Sequence, residues 1–148
     1  MRRHAKTKRR SGCPVSVSLE ILGDRWTLLI IRDLMVRGCR TFREFLQAGE
    51  GIATNILSDR LRRLVAAGII ETEAEASDAR KSNYRLTEKG MDLAPILLDL
   101  LIWGARYERT GAPPALADRM EAQRDQIIGE ARRRWGNRDL TPLIPPFR

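Results

Sequence analysis

Histidine, cysteine and long apolar runs are all scarce in this 148-residue chain. Its two cysteines, Cys13 and Cys39, stand far apart in neither a CxxC nor a Cys/His spacing. That argues against a disulfide scaffold or a zinc site. The one histidine, His4, lies in the N-terminal tail without a partner in sequence and reads as a bystander. There is no G-x-S-x-G, P-loop or H-E-x-x-H, and no second histidine to pair with either cysteine, so neither an enzyme nor a cofactor is expected. No apolar stretch reaches the roughly 18–20 residues of a membrane span, and no apolar signal segment follows the basic N-terminus. The expected location is the cytoplasm, without a membrane partner.

What is present is a core's worth of apolar residues and an uneven positive charge. Hydrophobic residues make up 43% of the chain, enough for one domain of ordinary size. The formal net charge is +8, and residues 1–10 alone carry six Lys/Arg and no acid. Residues 25–65 hold eight arginines against four acids, whereas residues 66–148 balance at thirteen each. The excess therefore sits in the tail and in the first half of the body. Such a tail is either a solubilising arm or a phosphate-binding arm, and the second reading requires that the folded part also bind nucleic acid.

Along the chain, Pro14 suits the first turn of a helix with the stripe Val15, Leu19 and Leu22, ended by Gly23. Asp24 can cap a second helix, RWTLLIIRDLMVR, which is apolar nearly all round and therefore buried, and Gly38 stops it. Thr41 and Glu44 form a capping box for a short third helix carrying Phe42, Phe45 and Leu46. After the Gly49–Gly51 turn, IATNILSDRLRRLVAAGII predicts a fourth helix with Leu57, Leu61, Leu64 and Val65 on its inner face. IIETEAE and KSNYRL then read as two strands, with Tyr84 and Leu86 inward and a polar tip from Ser77 to Arg80. A long helix follows from Thr87, bent at Pro95, with a second half apolar enough to pack against another copy. A last helix, appended beyond Pro114, shows the stripe Leu116, Met120, Ile127, Ala131 and Trp135.

Three helices, a fourth with a polar outer face, a hairpin and a long helix make an α+β, mainly α, winged helix-turn-helix with a two-stranded wing and terminal dimerisation helices. A major groove about 12 Å wide admits such a fourth helix, whose outer face must then be short, polar and basic. Thr54, Asn55, Ser58 and Arg62 fit base or phosphate contacts. Arg60 and Arg63 fit phosphates at the flanks, Arg80 and Lys81 fit contacts from the wing, and Asp59 can restrain a neighbouring arginine. The bland alternative is an amphipathic helix whose outer face is merely solvated.

The motifs C-P-V at Cys13, I-L-G-D-R-W-T-L-L-I-I-R-D-L from Ile21, T-F-R-E-F from Thr41, L-S-D-R-L-R-R-L from Leu57 and Y-R-L-T-E-K-G from Tyr84 resemble the HxlR-type regulators. The resemblance implies a homodimeric winged-helix transcription regulator of MarR-like architecture, with its dimer built from terminal helices. It also implies that the cysteine before Pro14 is, in some members, a sensor of oxidants or electrophiles. Three features depart from the family: a wing reading S-D-A-R-K, the basic arm, and everything from residue 109 on.

The expected organisation is a basic arm (residues 1–12), an HxlR-type DNA-binding domain (13–108) and a C-terminal helical extension (109–148). The expected partner is double-stranded DNA, bound by a homodimeric repressor at a pseudo-palindromic operator and responsive to redox state or a small ligand. Cys13 is the candidate redox sensor and Cys39 its candidate resolving thiol. A small buried role for Cys13 stands beside that reading. The alternative function is a winged helix that binds nucleic acid without sequence preference or serves only protein interaction.

Overall fold

The structure, a computed structural model, describes residues 9–75, 77–144 and 146–147, and for residues 79 and 80 the backbone alone. Helix α1 (Pro14–Leu22) opens on a proline in its first turn, where the missing N–H costs nothing, and closes with the Gly23 amide on the Leu19 carbonyl at 2.8 Å. Helix α2 (Thr27–Val36) begins slightly later than the sequence suggests, because residues 24–26 form a turn. The Asp24 carboxylate nonetheless caps it, accepting the amides of Trp26 (2.9 Å) and Thr27 (3.2 Å). Gly38, at φ +72°, ends α2 as expected.

Helix α3 (Phe42–Leu46) carries the predicted Thr41–Glu44 box: the Glu44 amide donates to Thr41 Oγ1 at 3.2 Å, and the Thr41 hydroxyl donates to the Glu44 carboxylate at 2.9 Å. Helix α4 (Thr54–Ala66) follows. Its end is a Schellman motif: the Ile69 amide donates to Leu64 O and the Gly68 amide to Val65 O, both at 3.0 Å, with Gly68 at φ +72°. Leu57, Leu61 and Leu64 are buried, but Val65 is exposed, contrary to expectation. At 100° per residue it turns away from the stripe set by its three neighbours.

Strands β1 (Ile70–Glu75) and β2 (Asp78–Leu86) form the antiparallel hairpin, pairing Ile70 with Leu86 and Thr72 with Tyr84. The second strand starts earlier than predicted, and the register breaks between Ala74 and Glu75, so Arg80 lies within β2 and not in an open tip. Leu86 is buried and Tyr84 half-buried, its ring edge-on to Phe45 at 6.0 Å. The hairpin is thereby fixed to α3.

The predicted long helix is two helices, α5 (Glu88–Met91) and α6 (Ala94–Tyr107). Pro95 lies in the first turn of α6 instead of bending a continuous helix, because it cannot donate to the preceding turn. The last predicted helix is likewise divided, into α7 (Leu116–Ala122) and α8 (Arg124–Gly136), with Gln123 between them.

The main core gathers Ile31 of α2, Leu57, Leu61 and Leu64 of α4, Ile70 and Leu86 of the hairpin, and Met91. Each such side chain contributes about 1.5–3 kcal/mol by its burial. A second cluster joins Leu98 and Ile102 of α6 to Ala117 and Met120 of α7. The C-terminal stripe therefore faces its own protomer. Nor is the extension merely appended: Ala131 lies in the main core, and the Leu143 amide donates to Val36 O at 2.7 Å. A Cβ on Gly38 would come within 2.1 Å of Leu140 O, so both the positive φ and this close approach call for glycine. Among the described residues, no helix is long and apolar enough to cross a membrane.

Candidate nucleic-acid interface

Helix α4 presents Thr54, Asn55, Ser58, Arg62 and Arg63 to solvent on one side while its leucines enter the core on the other. This is the division the sequence predicts, Val65 excepted. Asp59 sits between the arginines, 3.0 Å from Arg63 Nε and 3.5 Å from Arg62 Nη2, while both guanidinium side chains stay largely exposed, at 69% and 76%. Exposed ion pairs of this kind are worth little, so either arginine can leave Asp59 for a phosphate or a base at small cost.

Arg60 behaves differently. Its guanidinium donates to Asp24 Oδ1 at 2.9 Å and to Asp59 Oδ2 at 2.5 Å, and its side chain is only 19% exposed. Burial pushes the Asp24 carboxyl up. The Thr27 hydroxyl, Arg60 and the amides of Trp26 and Thr27 outweigh that effect and hold it at about 2. Asp24 thus joins the N-terminus of α2 to the middle of α4. Sequence reasoning found the cap and missed the tertiary pair, since partners 36 residues apart leave no periodic signal.

The wing is braced from behind by the extension. Trp135 Nε1 donates to Leu86 O at 2.8 Å, Arg85 donates to Trp135 O at 2.9 Å, and the Arg85 guanidinium lies 4.7 Å from the Trp135 ring centroid. Arg138 forks onto Glu73 with bonds of 2.9 and 2.8 Å. None of these contacts was predicted. Lys81 is exposed on β2; Arg80 has its backbone in the same strand, but its side chain lies outside the described ones. The arm up to Lys8 is also outside the described residues, His4 included.

The two thiols differ in surroundings. Cys13 is exposed just before α1, and hydrogen bonds from the Ser16 and Val15 amides lower its pKa. The structure thus departs from the reading of Cys13 as a small buried residue. Cys39 is half-buried, and its burial, aided by the Asp33 and Glu44 carboxylates, pushes its pKa up to about 11.

Helix α6 leaves Ile96, Leu100, Trp103 and Tyr107 exposed at spacings of four, three and four residues, one continuous apolar stripe. Val15 and Leu19 of α1 are exposed as well. On an isolated chain such a stripe would be a solubility liability.

Known proteins share this fold. The HxlR-like helix-turn-helix family matches residues 21–111, a span that leaves out both Cys13 and the extension from residue 112 on. An uncharacterised HTH-type transcriptional regulator of Mycobacterium tuberculosis is 41% identical over 107 residues, covering 72% of this chain and 66% of the relative, just under two thirds of its length. The crystal structure of PA1607, a putative transcription factor, superposes with a TM-score of 0.64 at 39% identity, over 71% of this chain and 70% of that one. The redox regulator HypR in its oxidized form superposes with a TM-score of 0.56 at 34% identity, over 62% of this chain and 94% of that one. By fold, by the matched span and by the residues on it, the chain belongs to the HxlR-like helix-turn-helix family.

Proposed function

We propose that the protein is a sequence-specific DNA-binding transcription regulator, acting as a homodimeric repressor on a pseudo-palindromic operator. The observation that carries this reading is α4: a helix anchored in the core by three leucines and by Asp24 through Arg60, with a polar and basic face free to enter a major groove. Asn55 and Arg62 are the base readers, suited to adenine and to guanine respectively, and Thr54 and Ser58 supply adaptable hydroxyls. Arg63, Arg80 and Lys81 hold phosphates. Arg60 is reassigned from phosphate contact to positioning, because its guanidinium is already engaged by two carboxylates.

The exposed α6 stripe supports the dimer, since pairing two copies would cover it. Residues 1–12 act as a phosphate-binding arm to the domain of residues 13–108. Residues 109–148 brace the wing. Exposure and a lowered pKa support Cys13 as the redox-responsive thiol. The raised pKa of Cys39 disfavours it as a ready resolving partner.

Recovery and sequencing of the genomic fragments retained by the full chain tests this reading. An enriched pseudo-palindrome with half-site centres about 10 bp apart supports it; fragments without a shared sequence contradict it.

A further inference from the structure

A cavity of about 500 Å³ opens between α2, α6, α8 and the C-terminal segment. That volume lies within the roughly 300–1,000 Å³ usual for small-molecule sites. Leu28 and Met35 form one wall and Leu97 and Leu101 another, while Ile128 and Ile144 come from the extension that lies outside the family match. The cavity therefore exists only because the extension folds back on the domain.

Its charges are already balanced. Arg32 donates to Asp33 and to Glu50, and Arg37 to Asp33 and to Ala48 O, so each guanidinium charge in the lining already faces a carboxylate. Among the described residues of the lining, Thr110 alone supplies a side-chain hydroxyl. Gly104 also lines the space, within α6, and a Cβ built on it meets nothing within 4 Å. Glycine is the poorest helix former after proline, so its place here keeps room open at a cost to the helix.

We propose that this cavity is a binding site for a neutral, largely apolar small molecule carrying at most one hydrogen-bonding group, seated against Gly104 and reached by the Thr110 hydroxyl. The wall formed by α8 continues into the wing: Ala131 lines the cavity, and one turn on Trp135 holds Leu86 and Arg85. The molecule's role as an effector of DNA binding rests on the function proposed above; its binding does not.

The test uses the full chain without DNA and the neutral fluorophore N-phenyl-1-naphthylamine, with its sulfonated analogue 1-anilinonaphthalene-8-sulfonate beside it. Saturable binding of one neutral probe per chain is expected, with weaker binding of the sulfonate. Gly104→Leu should weaken the neutral probe by about tenfold or more, as the new side chain takes the ligand's volume. Ala105→Leu fills the same space should the first variant fail to fold. Three results would overturn the site: no saturable binding, equal binding by folded filled variants, or a sulfonate bound as tightly as the neutral probe. Because the readout is probe fluorescence, a chain that ignores DNA would overturn the proposed function and leave this result intact.

Discussion

The Arg60 guanidinium meets the Asp24 carboxylate at 2.9 Å, joining the outer helix of the helix-turn-helix to the turn that starts α2. A pair this sheltered fixes the angle of α4 and so the direction in which its polar face points. Asp24→Ala removes both the cap and the partner of Arg60, and should lower the free energy of unfolding by about 1–3 kcal/mol in urea titration. The pH dependence has a definite sign. Folded Asp24 is held at about 2, below the roughly 3.9 of an unfolded aspartate, so its contribution is complete above about pH 4 and is lost as pH falls through about 2. The stability gap between wild type and Asp24→Asn should close over that window.

The arginines of α4 and of the wing should separate by role. Arg62→Ala is expected to cost about 1–3 kcal/mol on the operator and to relax preference at one base position. Arg80→Ala should weaken every duplex alike and flatten the salt slope by about one unit. Arg60→Ala should instead lower thermal stability. Binding isotherms at several salt concentrations, alongside melting curves, distinguish the three; equal loss of specificity in the first two would contradict the assignment.

Trp103 and Tyr107, tilted together at 5.8 Å between ring centroids, lie on the apolar stripe of α6. Trp103→Glu places a charge where the partner copy is expected and should convert the dimer to a folded monomer, read by light scattering at micromolar concentration. A wild-type chain that is already monomeric there would contradict the dimer.

Thiol labelling should be sequential. Cys13, exposed and with a lowered pKa, should react with a maleimide in the folded protein at neutral pH, whereas Cys39 should label slowly until the chain is denatured. Mass spectrometry of Cys13→Ser and Cys39→Ser assigns the sites. Equal rates for both thiols would undo the distinction.

Wherever a periodic stripe met a local signal, the sequence was legible. Pro14, the Thr41–Glu44 box and Gly68 mark helix ends by chemistry confined to a few residues, and the inward leucines of α4 follow a single spacing. Interruptions were read less well: Pro95 is equally compatible with a bend and with a fresh first turn, and the absence of a breaker at Gln123 hid the split between α7 and α8. Least legible was the packing of the extension. The Glu73–Arg138 fork and the Trp135–Leu86 bond join residues 65 and 49 apart, and an amphipathic stripe does not say which surface it will cover. On α4, the exposure of Thr54, Asn55, Ser58, Arg62 and Arg63 was readable from the sequence, while the capture of Arg60 by Asp24 was not.

Competition between a selected operator duplex and a random duplex of equal length, at one fixed salt concentration, tests the central claim most directly. A sequence-specific regulator should prefer the operator by about 10³-fold or more, and Arg62→Ala should reduce that ratio. Equal affinity for the two duplexes would contradict the account and leave a winged helix that binds nucleic acid without reading it.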